Sequence, residues 1–251
     1  MPYDLAIDVG SIQGGAMMTS TPSQTCPSIE PDNVSCWVFD LDNTLYPQAS
    51  NLFARVSRRM TQFIQREFNF PEDDARALQK RLFLKYGTTM RGLMVEHDMD
   101  PMRFLDDVHD IDVSDMAPDP RLASLIGRLP GRRVIFTNGS VPHADRITRQ
   151  LGIDALFEGT FDIVASNFIP KPDPQPYHDM IARFDFDPSC AVMVEDMAKN
   201  LKPAADLGMT TVWLRHDLEW SSDGATGGHV HHEITDLTAW LERITGVSDP
   251  C

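Results

Sequence analysis

Two carboxylates and a hydroxyl follow the first strongly apolar segment of the chain. Residues 37–47 read "WVFDLDNTLYP", in which the apolar start is typical of a buried strand and Asp40, Asp42 and Thr44 come directly after it. Alternation along an extended backbone predicts that Asp40 and Asp42 point to the same side, with Leu41 opposite. Two like charges at this spacing repel each other, so we expect a cation to lie among them.

Polar groups also follow three later apolar segments, predicted as strands over residues 134–136, 163–165 and 191–194. They are a Thr-Asn-Gly turn, a lysine in the loop "IPKPDPQPY" and an acidic pair, namely Thr137, Asn138, Gly139, Lys171, Glu195 and Asp196. In an open parallel sheet, ligands bind outside the carboxyl ends of the strands. We therefore expect all of these groups to meet the two aspartates in one site.

The predicted site has the groups that a metal-dependent phosphoryl transfer needs. Mg²⁺ prefers hard oxygen ligands and commonly binds through a few carboxylates, waters and a substrate phosphate. A carboxylate such as Asp40 can attack phosphorus when the phosphoryl group is held in line and its charge is neutralised. Asp42 could protonate the leaving oxygen and then deprotonate water, a role worth ~10²- to 10⁴-fold in rate. Lys171 would act as a point charge on the phosphoryl oxygens.

The segments that connect these strands differ in character. Residues 48–114 carry apolar side chains at helical spacing, which predicts an all-helical insertion. Beyond it, strand patterns alternate with helix patterns, which predicts a parallel sheet with helices on both faces. The predicted fold class is α/β, with a Rossmann-like catalytic core at 34–47 and 115–251, a helical cap at 48–114 and a flexible tail at 1–33.

Composition restricts the partners and the compartment. The chain has 251 residues, 42% of them hydrophobic, and a formal charge of −15 at pH 7. This charge opposes binding to a nucleic acid polymer or an anionic membrane, whereas a local cation can still hold a small phosphorylated substrate. We recognise no signal peptide and no membrane-spanning stretch, and therefore expect a cytoplasmic protein, with its oligomeric state left open. The four cysteines, Cys26, Cys36, Cys190 and Cys251, lack metal-ligand spacing and are expected to be free thiols.

The motifs "DLDNT", "TNG", "KP" and "ED", in this order and each after a predicted strand, resemble the four motifs of the haloacid dehalogenase (HAD) superfamily, subfamily I. The resemblance covers about residues 34–245 and implies a HAD-like core with a helical cap inserted after the first motif. It implies Asp40 as nucleophile, Asp42 as general acid/base and Mg²⁺ as cofactor. It assigns phosphate binding to Thr137, Asn138, Gly139 and Lys171, and the metal to Asp40, Asp42 (through its carbonyl), Glu195 and Asp196. Dehalogenases of this superfamily lack the second aspartate, so Asp42 favours a phosphatase; Asn43, where glycine is commoner, is interpreted as a subgroup feature.

Two stretches of the predicted cap, "YGTTMRGLM" at residues 86–94 and "VHD" at 108–110, resemble the pyrimidine 5′-nucleotidase branch of the superfamily. This resemblance implies UMP and CMP as substrates. The candidate substrate contacts in the cap are Tyr86, Thr88, Thr89 and Arg91. The tyrosine ring could stack on a base, the hydroxyls could meet polar atoms of sugar or base, and the guanidinium could donate two hydrogen bonds to a carbonyl. The sequence is equally compatible with a tyrosine packed inside the cap and an arginine that is only a surface charge.

Several alternatives stay open at this point. The same chemistry would suit phosphoglycolate, a sugar phosphate or a mutase reaction, and a non-catalytic phosphate-binding or interaction protein could have the same fold. Asn200 either supports the metal site or caps the helix that follows it. The histidines of "HVHHE", from His229 to His232, are interpreted as a half-exposed strand end rather than as zinc ligands, because no cysteine or second cluster lies near them.

Overall fold

The structure, a computed structural model, describes residues 28–216 and 221–247. Most of the predicted tail, together with Cys26 and Cys251, lies outside the described residues. Just before the first strand, Pro31–Asn33 form a single 3₁₀ turn, and Ile29 packs against the core. The described end of the predicted tail is therefore in contact with the rest of the protein.

Within the described residues, six parallel strands form one sheet in the order β3-β2-β1-β4-β5-β6. The strands are β1 (Cys36–Phe39), β2 (Arg132–Phe136), β3 (Gly159–Phe161), β4 (Ala191–Glu195), β5 (Thr210–Leu214) and β6 (His232–Ile234). The parallel sheet predicted from alternating strand and helix patterns is confirmed. Because β1 is central, its carboxyl end lies beside those of β2 and β4.

Helices flank the sheet and also fill the long connection between β1 and β2. That connection contains α1 (Leu52–Phe68), α2 (Glu72–Tyr86), α3 (Thr89–His97), α4 (Pro101–Val108) and α5 (Pro120–Arg128). The remaining helices are α6 (Val141–Leu151), α7 (Pro174–Phe184), α8 (Leu201–Asp206) and α9 (Leu237–Thr245). None of the helices among the described residues is both long and apolar enough to cross a membrane.

The pleat of β1 connects two hydrophobic clusters, one on each face of the sheet. Trp37 and Phe39 belong to the cluster that includes α5 and α9, whereas Cys36 and Val38 belong to the cluster that includes α7 and α8. Successive side chains of a strand point to opposite faces, so a strand covered on both sides is apolar throughout. A third cluster holds α1–α4 together, and these four helices are called the cap below.

The prediction of a strand at residues 163–165 is wrong. β3 lies earlier, at Gly159–Phe161, and residues 163–168 form tight turns instead, with Ser166 N bonded to Asp162 O and Asn167 N to Val164 O. The apolar character of this stretch has another cause, because Ile163 is buried in the hydrophobic cluster of the cap. A short apolar run of this kind carries no periodicity that would distinguish a strand from a buried turn.

Close packing places one end of the cap over the carboxyl edge of the sheet. A Cβ atom on Gly92 would lie 2.6 Å from Cβ of Leu82, so the close contact of α3 with α2 requires glycine. The turn between these helices is thereby fixed, and its Gly87 lies so near the loop after β3 that a Cβ there would be 3.5 Å from the carbonyl oxygen of Lys171. The cap is therefore in contact with the loop that carries the predicted phosphate-binding lysine.

Candidate active site

Lys171 is the centre of a buried ionic network at the carboxyl ends of the strands. Its Nζ donates to Oδ1 of Asp40 at 2.7 Å, to Oε2 of Glu195 at 2.6 Å and to the carbonyl oxygen of Phe136 at 2.8 Å. These three bonds use every hydrogen of the ammonium group. Burial lowers the pKa of Lys171, but the charges of Asp40 and Glu195 together raise it by more than burial lowers it. The pKa therefore lies above the ordinary value, and the group stays charged.

Asp40, Glu195 and Asp196 form a buried acidic cluster, in which one ligand atom from each residue lies within 4.8 Å of the others. Burial, and then the charge of Glu195, raise the pKa of Asp40 to about 7 and raise the pKa of Asp196 well above its usual range. Oδ2 of Asp196 is buried and finds no hydrogen-bond partner in the described parts of the chain. The three carboxylates of the cluster are therefore only partly balanced by the single charge of Lys171, and their hard oxygen donors fit Mg²⁺.

Asn200 adds a second buried oxygen without a partner to the same cavity. Its Oδ1 has no hydrogen-bond partner within residues 28–216 and 221–247, and its side chain makes no capping bond to α8. Of the two interpretations of Asn200 left open by the sequence, the structure therefore does not support the helix cap. An amide oxygen here is compatible with a role beside the metal site.

The Asp42 side chain has partners outside the acidic cluster. Its Oδ1 accepts a hydrogen bond from the Tyr46 hydroxyl at 2.5 Å and lies 3.0 Å from Nε2 of His143. Burial raises the pKa of Asp42, but His143 and then Tyr46 lower it more, so its pKa lies below the ordinary value. The carboxylate is thus separate from the predicted metal ligands, which leaves the main-chain carbonyl of Asp42 as the ligand that the sequence resemblance implies.

The turn after β2 is compact and closed by an internal hydrogen bond. The hydroxyl of Thr137 accepts a hydrogen bond from Gly139 N at 2.9 Å, and a Cβ atom on Gly139 would lie 3.2 Å from that hydroxyl and 3.6 Å from Oδ2 of Asp42. A side chain at Gly139 would therefore occupy the space between the predicted phosphate-binding hydroxyl and the predicted acid/base. Asn138 has a different contact, because its amide bonds the backbone of Lys171, with Oδ1 2.8 Å from Lys171 N.

Asn43 adopts a left-handed backbone conformation, with φ 61°. Glycine and asparagine are the residues that enter this region most readily, which gives a physical reason for asparagine at a position where related motifs have glycine. Its carbonyl oxygen lies 2.8 Å from Nε2 of His216, and its side chain is buried. Asp40, Asp42 and Asn43 all line one cavity.

A cavity of about 890 Å³ extends from the acidic cluster into the cap. On the side of the sheet it is lined by Asp40, Asp42, Asn43, Thr137, Asn138, Gly139, Lys171, Glu195, Asp196 and Asn200. On the cap side its apolar walls include Val56, Met60, Phe83, Phe104, Leu105 and Val108. A polar patch interrupts these walls, formed by Ser57, Thr61 and Gln79, and is called the cap polar patch below. Gln79 links the patch, since Nε2 donates to Ser57 Oγ at 3.0 Å and Oε1 accepts from Thr61 Oγ1 at 2.6 Å.

The four cap residues suggested by the sequence do not all reach this cavity. Thr88 and Thr89 line it, although their hydroxyls already bond Arg91 N and the Gln79 carbonyl oxygen, respectively. Tyr86 and Arg91 are not among its lining residues. The hydroxyl of Tyr86 instead donates to Oε1 of Glu96 at 2.9 Å, and the ring packs against the cap cluster.

Two buried histidines near the site were not recognised from the sequence. His109 follows α4, and its ring stacks on that of His143 at 4.2 Å between centroids and 13° between planes. Burial, and then the neighbouring His143, lower the pKa of His109 to about 3, so His109 is neutral at neutral pH. The available signal was weak: His109 is the middle residue of "VHD", and His143 lies two residues beyond the start of α6, where a buried position is ordinary.

Two of the histidines in residues 229–232 make ordinary hydrogen bonds, whereas Nε2 of His232 is buried and has no hydrogen-bond partner among the described residues. Nε2 of His229 lies 3.2 Å from the Ala198 carbonyl oxygen, and Nδ1 of His231 accepts from Thr211 N at 3.1 Å. The acidic cluster at Asp40 is the one possible metal-ligand group found within the described residues. These observations agree with the interpretation of this stretch as a strand end.

Sequence comparison identifies the family. Residues 34–208 match the family described as haloacid dehalogenase-like hydrolase. One curated relative, Phosphate metabolism protein 8 of Saccharomyces cerevisiae, is 27% identical over 224 residues, which cover 82% of this chain. The alignment spans 64% of that relative, so the chain matches somewhat less than two thirds of its length.

Solved structures share the fold at low sequence identity. A HAD phosphatase from Thermococcus onnurineus is 19% identical with a TM-score of 0.56, over 86% of this chain and all of that one (100%). The putative HAD-hydrolase YfnB from Bacillus subtilis, bound to magnesium, is 15% identical with a TM-score of 0.54, over 84% of this chain and 98% of that one. At these identities the likeness concerns the fold.

Proposed function

The chain belongs to the haloacid dehalogenase-like hydrolases, and on this premise we propose that it is a Mg²⁺-dependent phosphomonoesterase for pyrimidine nucleoside 5′-monophosphates. The observation that carries the phosphatase proposal is the arrangement around Lys171. One ammonium group contacts both the proposed nucleophile Asp40 and Glu195, beside the unpaired carboxylate oxygen of Asp196. Asp42 lies at the same cavity with one oxygen held by Tyr46 and His143.

In the proposed reaction, an oxygen of Asp40 attacks phosphorus while the bond from phosphorus to the ester oxygen breaks. For this step Asp42 must carry a proton, which it gives to the leaving oxygen; the phosphate dianion beside it would raise the pKa of the carboxyl and so oppose the lowering by His143 and Tyr46. Water then attacks phosphorus, returns a proton to Asp42 and releases Asp40 with inorganic phosphate. The Thr137 hydroxyl would donate to a phosphoryl oxygen, and Lys171, whose three hydrogens are bonded to Asp40, Glu195 and Phe136, would act on the phosphoryl group through its positive charge.

The residues present suit a bound Mg²⁺ ion. Asp40, Glu195, Asp196 and the main-chain carbonyl of Asp42 would hold it, with Asn200 beside them. When bound, the ion would neutralise charge on the carboxylates and on the phosphoryl oxygens. The two buried oxygens without partners, on Asp196 and Asn200, support this assignment. The magnesium-bound structure of the related YfnB is compatible with it.

The shape of the cavity supports a nucleotide rather than a smaller phosphate ester. Its volume of about 890 Å³ is in the range of about 300–1,000 Å³ that small-molecule sites occupy. Phosphoglycolate would leave the apolar cap walls in contact with water, and a sugar phosphate would place hydroxyl groups against them. A flat base can cover apolar walls and still present polar edges to the cap polar patch. Arg76 and Lys80 also line the cavity, so an anionic ligand meets positive charge there despite the net charge of −15.

The decisive experiment is a substrate series with and without Mg²⁺. We expect phosphate release from UMP and CMP at a higher kcat/KM than from AMP, phosphoglycolate, a hexose phosphate or an aryl phosphate. Preference for phosphoglycolate or the hexose phosphate would remove the nucleotidase part of the proposal and leave the phosphatase part. Absence of turnover with every monoester in Mg²⁺ would favour a non-catalytic phosphate-binding protein and reject both parts. The cytoplasm remains the compartment predicted from the sequence, and cell fractionation would test it.

A further inference from the structure

The two oxygens of Asp42 have different surroundings. Oδ1 accepts from the Tyr46 hydroxyl at 2.5 Å and lies 3.0 Å from Nε2 of His143. Oδ2 faces the turn after β2, because a Cβ atom on Gly139 would lie 3.6 Å from it. A carboxylate fixed on one oxygen presents the other in a constant direction. Oδ2 is thereby selected as the oxygen that exchanges protons with the leaving group and with water.

The contact from His143 must be a donated hydrogen bond. An ionised carboxylate can only accept, so Nε2 of His143 carries the hydrogen. The other ring nitrogen, Nδ1, is buried and has no hydrogen-bond partner among residues 28–216 and 221–247. A buried polar atom without a partner destabilises the folded state, and an apolar side chain of similar size would avoid that cost. A histidine that served only to fill space would therefore be a poor choice here.

The His143 ring is itself held in place by the segment that leaves the cap. His109 stacks on it, and Nδ1 of His109 lies 2.9 Å from the hydroxyl of Ser140, just before α6. The carbonyl oxygen of His109 accepts a hydrogen bond from Arg146, on the same helix as His143. His109 thus contacts Ser140 just before α6, and His143 and Arg146 within it. Of these three residues, His143 is the one that also contacts Asp42.

We propose that His143 is a positioning residue that fixes the Asp42 carboxylate for proton transfer, and that His109 at the end of the cap holds the His143 ring in register. This inference rests on the proposed phosphatase reaction for its kinetic consequence, although the contacts themselves do not. The chain of contacts runs from the cap through His109 and His143 to Asp42. A displaced cap segment would therefore misdirect the acid/base carboxylate, which ties proton transfer to the seated position of the cap.

The kinetic test compares His143→Leu with His143→Gln. Glutamine can place an N–H donor near the position of Nε2, whereas leucine fills space without donating. We expect His143→Leu to lower kcat for UMP by about 10- to 100-fold with KM within about two-fold, and His143→Gln to recover most of the loss. His178→Leu, at an exposed histidine on α7, is the matched control and should keep the wild-type kcat. Wild-type kcat in His143→Leu, or equal losses in both variants at equal melting temperature, would overturn the proposal.

A p-nitrophenyl phosphate burst adds a readout that a purely structural role would not change. Nitrophenolate leaves without needing a proton, so phosphorylation of Asp40 should stay fast in His143→Leu, while attack by water should be slow. We expect about one equivalent of nitrophenolate per enzyme in a burst, followed by a slow steady state. His109→Leu should show the same burst with a smaller decrease in the steady-state rate. A uniform decrease of both phases would indicate general misfolding and count against a positioning role.

A spectroscopic test keeps the inference separate from the proposed function. In ¹⁵N-histidine-labelled protein, the His143 ring should carry its hydrogen on Nε2, and Asp42→Asn should shift that resonance whether or not any monoester is turned over. His109→Leu should also shift it, while His178→Leu should not. A hydrogen found on Nδ1 of His143, with Nε2 bare, would refute the positioning role. If the expected tautomer is found in a protein that hydrolyses no phosphate ester, only the proposed function fails.

Discussion

Nζ of Lys171 lies 2.7 Å from Oδ1 of Asp40, a residue 131 positions earlier in the chain. The pair is almost completely buried, and Glu195 completes it at 2.6 Å. The lysine therefore has two functions in one position. It supplies a positive charge that lowers the pKa of the buried Asp40 carboxyl, and in the proposed reaction the same charge would act on the phosphoryl group.

Removal of this ammonium group should destabilise the metal-free protein. Lys171→Met leaves two buried carboxylates without their cation, a change that typically costs about 3–5 kcal/mol. Chemical unfolding in a chelator would measure the loss, and added Mg²⁺ should restore part of it. The control Lys202→Met removes an exposed pair with Asp206 and should cost no more than about 0.5 kcal/mol. A free energy of unfolding for Lys171→Met equal to that of the control would contradict the buried network.

Asparagine substitution should distinguish the two aspartates kinetically. Asp40→Asn keeps the size of the side chain but cannot form the acyl phosphate, so UMP hydrolysis should fall to background with the fold intact. Asp42→Asn cannot transfer a proton, and its rate should fall by ~10²- to 10⁴-fold. Far-UV circular dichroism and melting temperature would verify folding, with Asp206→Asn as an exposed control. Substantial Mg²⁺-dependent turnover by Asp40→Asn would exclude the covalent route.

Mg²⁺ binding should release protons near neutral pH. Burial, and then Glu195, raise the pKa of Asp40 to about 7, so a large fraction of this carboxyl is protonated at pH 6.5, whereas the metal requires the carboxylate. Affinity should therefore rise with pH up to about 7.5 and decrease as pH falls below 7. Calorimetry in two buffers with different ionisation enthalpies would count the protons released. Asp196→Ala should weaken binding severely, and an affinity that is the same at pH 5.5 and 7.5 would disagree with the raised pKa.

The cap polar patch should affect nucleotides more than small aryl phosphates. Gln79→Leu removes the amide that connects Ser57 and Thr61, so kcat/KM for UMP should fall by about 10-fold or more, while that for p-nitrophenyl phosphate should change little. Gln175→Leu, an exposed glutamine on α7, is the matched control. Equal losses with both substrates would mean that the patch stabilises the cap and does not select the substrate.

The two described cysteines should differ in reactivity. Cys36 and Cys190 are both free thiols near the starts of the adjacent strands β1 and β4, but Cys36 is buried and Cys190 is exposed. Burial raises the pKa of Cys36 to about 12, so its thiolate is negligible at pH 8. Maleimide labelling of the native protein followed by peptide mapping should find Cys190 modified and Cys36 unmodified. Titration after denaturation without reductant should find all four cysteines free, and fewer would contradict the expected reduced state.

The central parallel sheet was predictable because a strand covered on both faces is apolar throughout its length. The site was predictable because the polar groups that follow such strands lie at the carboxyl edge of the sheet, where ligands bind. Asp40, Lys171, Glu195 and Asp196 were selected for this reason, and the structure brings them together. The strand at 163–165 was misplaced, since Ile163 is apolar for contact with the cap and not for pairing in the sheet. The cap contacts were equally hard to predict, because the hydroxyl of Tyr86 donates a hydrogen bond to Glu96, ten residues away, and Tyr86 does not line the cavity.

The sequence by itself determined which groups are available for chemistry and that they follow strand ends, because periodicity and residue type act locally. Only the tertiary structure decided which of them touch. Asp42 contacts His143, which lies 101 residues later in the chain. The ring of His143, in α6, stacks on that of His109, which follows α4. Such pairs depend on strand register and on how helices pack against the sheet, and a buried histidine has the same local pattern whether it fills space or holds a carboxylate. The physical reason is that a hydrogen bond between distant residues leaves no periodic signal in the chain.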